Sequence, residues 1–175
     1  MKKKHISLIG MSGVGKTTLG KILAKKLTLQ FIDVDDEMEN REQRSIYEIL
    51  TQSGEDYFLK IEEGVCLNLN LNSPSIISTG GSMIYCSKAM NFLKLNSIII
   101  FLESPLNIIK QQTKNLHTRG IVGLKDNTYE ALFEQRKTLY KKYADIHYIF
   151  TSHPKSKSAL ENLIIEINKY NEINK

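Results

Sequence analysis

At 175 residues the chain is long enough for one domain with a proper core, and 41% hydrophobic with 25% charged residues is the composition of an ordinary soluble globular protein. Its longest purely apolar run, 98–102, is far too short for a membrane-spanning helix, and its two cysteines, Cys66 and Cys86, form no CxxC and have no histidine at ligand spacing, which argues against a zinc site or a disulfide framework. The net charge of +5 and the pI near 9.1 come from scattered basic residues, concentrated only in 2–4 and 137–142, with no aromatic-basic recognition motif, so a nucleic-acid partner is not expected.

Met1-Lys2-Lys3-Lys4 leads into a short apolar strand, 5–9, rather than into a signal core with a small-residue cleavage site, and a cytoplasmic protein is the expectation. The strand runs into Gly10-Met11-Ser12-Gly13-Val14-Gly15-Lys16-Thr17, which meets the G-x-x-x-x-G-K-[ST] pattern in full and is followed by a helix-period run over 17–27. Strand, glycine loop and helix in that order make an anion site: glycines let backbone N–H groups turn inward around a triphosphate, and the helix aims its positive end at it. Ser12, Gly13, Val14, Gly15, Lys16, Thr17 and Thr18 are therefore the expected nucleotide contacts. Lys16 adds charge near the β- and γ-phosphates, and Thr17 offers its hydroxyl to Mg²⁺.

A second strand, 30–34, ends in acidic residues. Helical stretches over 36–41, 45–52 (with Ser45 as N-cap) and 55–69 follow, the last two punctuated by Gly54. Pro74 precedes a buried-type strand, 75–79, that runs into Gly80-Gly81-Ser82. A helix over 87–95 leads to the most apolar strand, 97–102, and Ser104-Pro105 reads as N-cap and first residue of a helix to about 114. Between 114 and 126 the periodicity fails, and Gly120 and Gly123 flank an Ile-Val pair next to a lone Arg119, the composition of a mobile lid. An amphipathic helix over 129–143 carries Arg136; a strand over 147–150 and a helix over 155–170 close the chain. The alternation predicts a single α/β domain over 1–175: three layers, α/β/α, around a five-stranded parallel sheet.

Open sheets of this kind bind ligands at the carboxyl ends of their strands. There stand the glycine loop, Asp33 with Asp35, and Thr79-Gly80-Gly81. In extended backbone residues 33 and 35 share a face, so one carboxylate faces the Mg²⁺ waters and the other an acceptor hydroxyl, while Asp36 serves as N-cap of the next helix or as part of a solvated turn. Gly80-Gly81 lets a ligand approach the backbone, or is simply a tight turn. Arg119 and Arg136 suit a phosphate chain and an acidic substrate, or are surface arginines.

Over 5–149 the sequence resembles the shikimate kinases, a family with the P-loop kinase fold. The resemblance is carried by Asp33-x-Asp35, Gly54-Glu55-x-x-Phe58, Thr79-Gly80-Gly81 and Arg136-x-x-x-Tyr140-x-x-x-Ala144-Asp145, in order and at matching distances. It implies transfer of a phosphoryl group from ATP, with Mg²⁺, to the 3-hydroxyl of shikimate by a monomer. Asp35 would hold the ring hydroxyls and take the proton, Asp33 would stand behind the magnesium waters with Thr17, and Lys16 and Arg119 would serve the ATP phosphates. Gly80, Gly81 and Arg136 would bind the acceptor, with Phe58 and Leu50 against its ring, and 36–62 would be the acceptor-binding helical region. Three departures from the family pattern stand out. Leu59 replaces an arginine that pairs with the substrate carboxylate, and Lys60, one position on, is rotated about 100° away. Ser82 replaces a third glycine. The lid sequence Arg-Pro-Leu-Leu is Arg119-Gly120-Ile121-Val122, with Gln112 where an arginine near the adenine is found. A kinase for another small hydroxylated acceptor, and a non-catalytic nucleotide-binding homologue, are the alternative readings.

Overall fold

The structure, a computed structural model, describes residues 3–112, 120–150, 153 and 156–174. Five strands, β1 (His5–Ile9), β2 (Gln30–Asp33), β3 (Ser75–Ser78), β4 (Ser97–Glu103) and β5 (Ile146–Ile149), form one all-parallel sheet in the order β2-β3-β1-β4-β5. The expected three-layer α/β/α architecture is met. β1 and β3 are buried along their whole length and β4 up to Leu102, which is why they read as continuous apolar or small-residue runs without alternation.

Helix α1 (Lys16–Leu27) packs on β1, β2 and β3, while α7 (Lys157–Ile173) lies on β5 and touches α1. Helices α4 (Ser87–Asn96) and α6 (Tyr129–Tyr143) pack on β4. Helix α5 (Leu106–Gln112) follows β4, and α2 (Val34–Glu42) and α3 (Ile46–Leu67) form a helical pair beyond the β2 edge. Asp145, at the end of the Arg136 motif, is structural. Its carboxylate accepts from the Ile99 N–H at 3.0 Å and pairs with Lys3 and Lys94 at 3.0 and 3.2 Å, tying α4, β4 and the start of β5.

Three differences from the sequence expectation have local causes. The two helices expected on either side of Gly54 run as one, α3, kinked at Gly54 (φ 81°, ψ 170°), with Ser45 and Glu48 forming a full capping box at its start. Helix α2 begins two residues earlier than expected, and its N-cap is Asp33, not Asp36: the Asp33 carboxylate accepts from the Asp35 N–H at 3.1 Å. Asp33 is extended and Asp35 already helical, so the shared-face argument for a strand does not apply to this pair. A turn of 3₁₀ helix, Met83–Tyr85, carries the chain from the Gly80-Gly81-Ser82 turn into α4.

Candidate functional site

The carboxyl ends of β1, β2 and β3 converge as register requires, since Asp33 is paired with Ser78 and Leu8 with Ser78 on the other side. Over them opens a cavity of about 790 Å³ walled by Ser12, Gly13, Gly15, Lys16, Thr17 and Thr18, and beyond them by Asp35, Tyr47, Gly81 and His153. Gly15 is the N-cap of α1 at φ 102°, with no capping side chain, so the first N–H groups of the helix are left for a ligand. Lys16 folds back over the loop, its Nζ donating to the Gly10 and Met11 carbonyls at 2.8 and 3.0 Å. Val14 differs from its neighbours. Its side chain is buried, its N–H donates to the Met11 carbonyl at 3.2 Å, and it does not line the cavity. The Tyr129 hydroxyl, donating to the Ser12 carbonyl at 2.8 Å, pins the loop to α6.

Thr17 and Asp33 meet directly, the Thr17 hydroxyl donating to Asp33 Oδ2 at 2.8 Å. Among the described residues no cluster of three or more His, Cys, Asp or Glu side chains is present. A hydroxyl beside one carboxylate is the sparse, hard-oxygen donor set of Mg²⁺, which keeps most of its waters and takes further oxygens from phosphates.

A small cavity of about 40 Å³ continues the large one and shares Ser12, Asp35, Ile46 and Gly81 with it. Its other walls are Phe58, Gly80, Ser82, Arg136 and the segment 120–122. The sequence thus brings Asp35, Gly80, Gly81 and Arg136 together from distant stretches. Leu50 does not line the cavity; Ile46, one turn earlier on α3, does. Asp35 is half-buried, and burial together with the charge of Asp33 pushes its carboxyl up to about 6, Lys16 pulling the other way.

Arg136 is 1% exposed, and among the described residues its bonding partners are neutral: Nε donates to the Tyr85 hydroxyl at 3.2 Å and Nη2 to the Val122 carbonyl at 2.6 Å. A buried guanidinium without a carboxylate is costly, and an anionic ligand removes that cost. Nη1 points at Gly81, where an added Cβ would sit 3.2 Å from it. Tyr140, donating to the Gly81 carbonyl at 2.6 Å, fixes that turn, and burial raises its phenol.

Glu62 belongs to none of the sequence motifs. It is fully buried behind Gly80: Oε2 accepts from the Ser82 hydroxyl at 2.7 Å, and Oε1 has no hydrogen-bond partner among the described residues. A Cβ on Gly80 would meet Oε1 at 2.1 Å, so a side chain there would displace the Glu62 carboxylate. Burial first, then the charge of Asp35, pushes Glu62 up to about 8, against the Ser82 hydrogen bond and the charge of Arg136. The signal available in the sequence is an acid on the apolar stripe Phe58, Ile61, Val65 of α3.

The three departures from the family pattern have distinct surroundings. Leu59 packs against the core on the turn before Glu62, and Lys60 is exposed, so it does not stand in for the missing arginine. Ser82 has φ −89°, a conformation open to any residue, and uses its hydroxyl on Glu62. Gly120 has φ +60°, which proline cannot adopt, and an added Cβ there would sit about 3 Å from the Ile46 carbonyl oxygen and Tyr47 Cα. Ile121 and Val122 are buried over the small cavity, and the Gly123 N–H donates to Glu55 Oε1 at 2.6 Å, tying the segment to α3 just beyond its kink. The expectations for Arg119 and for the Gln112 side chain lie outside the described residues.

The shikimate kinase family model matches residues 12–168. The chain is 35% identical to a shikimate kinase of Sulfurihydrogenibium sp. (strain YO3AOP1) over 138 residues, 79% of this chain and 83% of that one. Two solved structures are similar. A shikimate kinase from Acinetobacter baumannii in complex with shikimate superposes with TM-score 0.84 at 28% identity, covering 94% of this chain and 93% of that one. A shikimate kinase from Aquifex aeolicus superposes with TM-score 0.79 at 31% identity, covering 94% and 96%.

Proposed function

Because the chain belongs to the shikimate kinase family, we propose that it transfers the γ-phosphoryl group of ATP to the 3-hydroxyl of shikimate, giving ADP and shikimate 3-phosphate. The observation that carries the choice of acceptor is Arg136, a fully buried cation with neutral partners, facing the Gly80-Gly81 turn across a cavity that also holds Asp35. An acid bearing hydroxyl groups satisfies both ends at once.

In this reading Ser12, Gly13, Gly15 and Thr18 surround the ATP phosphates with backbone and hydroxyl donors, and Val14 keeps the loop in shape. Lys16, already in the cavity wall, swings from the Gly10 and Met11 carbonyls onto the β- and γ-oxygens. Thr17, with Asp33 behind it through water, would hold Mg²⁺, which when bound neutralises charge on the phosphates. Asp35 accepts the proton of the attacking hydroxyl as its oxygen bonds to the γ-phosphorus and the bond to the β,γ-bridging oxygen breaks. The N–H of Gly81 and Nη1 of Arg136 take the carboxylate, and Phe58 packs on the ring. Arg119 belongs to the same proposal, as a lid cation on the phosphates. The small cavity cannot take a hydroxylated ring while Ile121 and Val122 fill its mouth, so 120–122, within the proposed lid over 114–126, withdraws for entry.

Among the described residues no helix is long and apolar enough to cross a membrane. A monomer acting in the cytoplasm, without nucleic acid, completes the proposal.

The test is ADP release from Mg·ATP with shikimate and with a panel of hydroxy acids and sugars. Turnover that saturates with shikimate supports the reading. The second reading, a different small acceptor, is favoured by Leu59 and by the Glu62 oxygen that has no partner among the described residues, and turnover with another acceptor but not shikimate would establish it.

A further inference from the structure

A guanidinium recognises a carboxylate by presenting two N–H groups along one edge, so its orientation decides its worth. Where two arginines share one carboxylate, each tolerates some misalignment; here, with Leu59 on α3, Arg136 is the one arginine that lines the small cavity among the described residues. What fixes its orientation is therefore a matter of specificity. Among the described residues two neighbours hold it. The Val122 carbonyl, on the segment that must withdraw, takes Nη2 at 2.6 Å. Tyr85 stays: its hydroxyl accepts from Nε at 3.2 Å and its ring lies under the guanidinium, with Cζ 5.2 Å from the ring centroid.

Tyr85 is well placed to be a fixed point. It ends the 3₁₀ turn that follows Gly80-Gly81-Ser82, its N–H donating to the Ser82 carbonyl at 2.9 Å. The next residue is anchored to α3, the Cys86 thiol donating to the Leu59 carbonyl at 3.4 Å. Its hydroxyl proton is directed at Gln135 Oε1, 3.5 Å away on α6, which leaves a lone pair for Arg136. The turn that would bind the carboxylate through Gly81 and the residue that aims Arg136 are thus one rigid piece, five residues long.

Resting on the family reading above, we infer that Tyr85 is a positioning residue for acceptor recognition: by gripping Nε and the face of Arg136 it keeps Nη1, and Nη2 once Val122 leaves, aimed at the acceptor carboxylate beside Gly81. Tyr85 lines neither cavity and reaches the small one only through Arg136. Its influence is confined to acceptor affinity.

Initial-rate kinetics with shikimate and Mg·ATP test this in wild type, Tyr85→Phe and Tyr85→Leu, each also in the Leu59→Arg background. Tyr85 is half-exposed and phenylalanine keeps the ring, so the first variant folds. The expected result is a KM for shikimate raised about 5- to 10-fold in Tyr85→Phe and further in Tyr85→Leu, with kcat and the KM for ATP within about two-fold of wild type. With an arginine at 59 sharing the carboxylate, the Tyr85→Phe factor shrinks to about two-fold or less. An unchanged KM for shikimate, an equal change in kcat or the KM for ATP, or the same factor in both backgrounds overturns the role of Tyr85. Absence of shikimate turnover by wild type instead overturns the proposed acceptor, and this inference with it.

Discussion

The two ends of the cleft are built in different ways. The nucleotide end is made from one continuous stretch, 10–18, whose glycine conformations and helix start supply donors from the backbone itself. The proposed acceptor end is assembled from five separate segments: Asp35, Phe58 with Glu62, Gly80 to Ser82, 120–122 and Arg136. Of the three departures from the family pattern, Ser82 lines the small cavity, Leu59 packs against the core one turn before Glu62, and the altered 119–122 sequence borders the cavity through Gly120, Ile121 and Val122. Backbone recognition of phosphate tolerates little change, whereas a side-chain pocket is retuned one residue at a time without disturbing phosphoryl transfer.

The sharpest way to break that division is at the residue where the two ends meet. Asp35→Asn keeps the shape and removes the proton acceptor, and is expected to lower kcat by about 10² to 10⁴ while the KM for ATP barely moves. In wild type, kcat/KM for shikimate should fall as pH drops through about 6, where Asp35 takes up its proton. A kcat unchanged by Asp35→Asn in steady-state assays would remove Asp35 from the chemistry and leave the cleft as two unconnected sites.

Arg136→Met should confine its damage to the acceptor end. The lost charge-assisted bonds correspond to about 1.5–3 kcal/mol, or roughly 10- to 100-fold in KM for shikimate, with nucleotide affinity by calorimetric titration unchanged. Leu59→Arg works in the opposite direction. Its guanidinium stands on the same face of α3 as Glu62, three residues on, can pair with the unpartnered Oε1, and reaches for the acceptor carboxylate, lowering KM by about 10-fold. A KM that rises in Leu59→Arg would mean that Leu59 is a wall fitted to a different acceptor.

The same contrast decides what could be read from the sequence. The glycine loop was legible because a local pattern dictates a local backbone shape, and β1, β3 and β4 because strands buried on both faces are apolar or small throughout. Asp33 and Asp35 were found at the right place for a reason that fails: a helix start, not an extended strand, orients them. Arg136 stood as a candidate from its residue type alone, with a surface role equally open, and the resemblance favoured the substrate carboxylate, since a lone arginine on an amphipathic helix carries no sign of being buried. Tyr85 left no trace, because its role depends on a 3₁₀ turn and on α6, which lies some fifty residues further along the chain. Glu62 could have been suspected as an acid on an apolar stripe, but its unpartnered oxygen depends on Leu59, Ser82 and Gly80 together.

Glu62 also offers the smallest and most specific test, because its effect falls on stability rather than turnover. In the unfolded chain it ionises near 4.5, and in the folded protein burial and Asp35 push it up to about 8. Folding therefore takes up a proton at any pH between those values, so Glu62 makes the protein less stable as pH rises from about 4.5 to 8, and the loss levels off above that. Glu62→Gln keeps the shape and an oxygen for the Ser82 hydroxyl but never ionises. The variant should match wild type near pH 4.5 and exceed it by on the order of 4 kcal/mol at pH 8, read from urea unfolding at both pH values. A gap of the same size at both would mean that the Glu62 carboxyl is ionised in the folded protein, held by a cation on the acceptor side. The acceptor pocket would then carry a fixed negative charge beside Asp35, and Arg136 would already be neutralised before any substrate arrived.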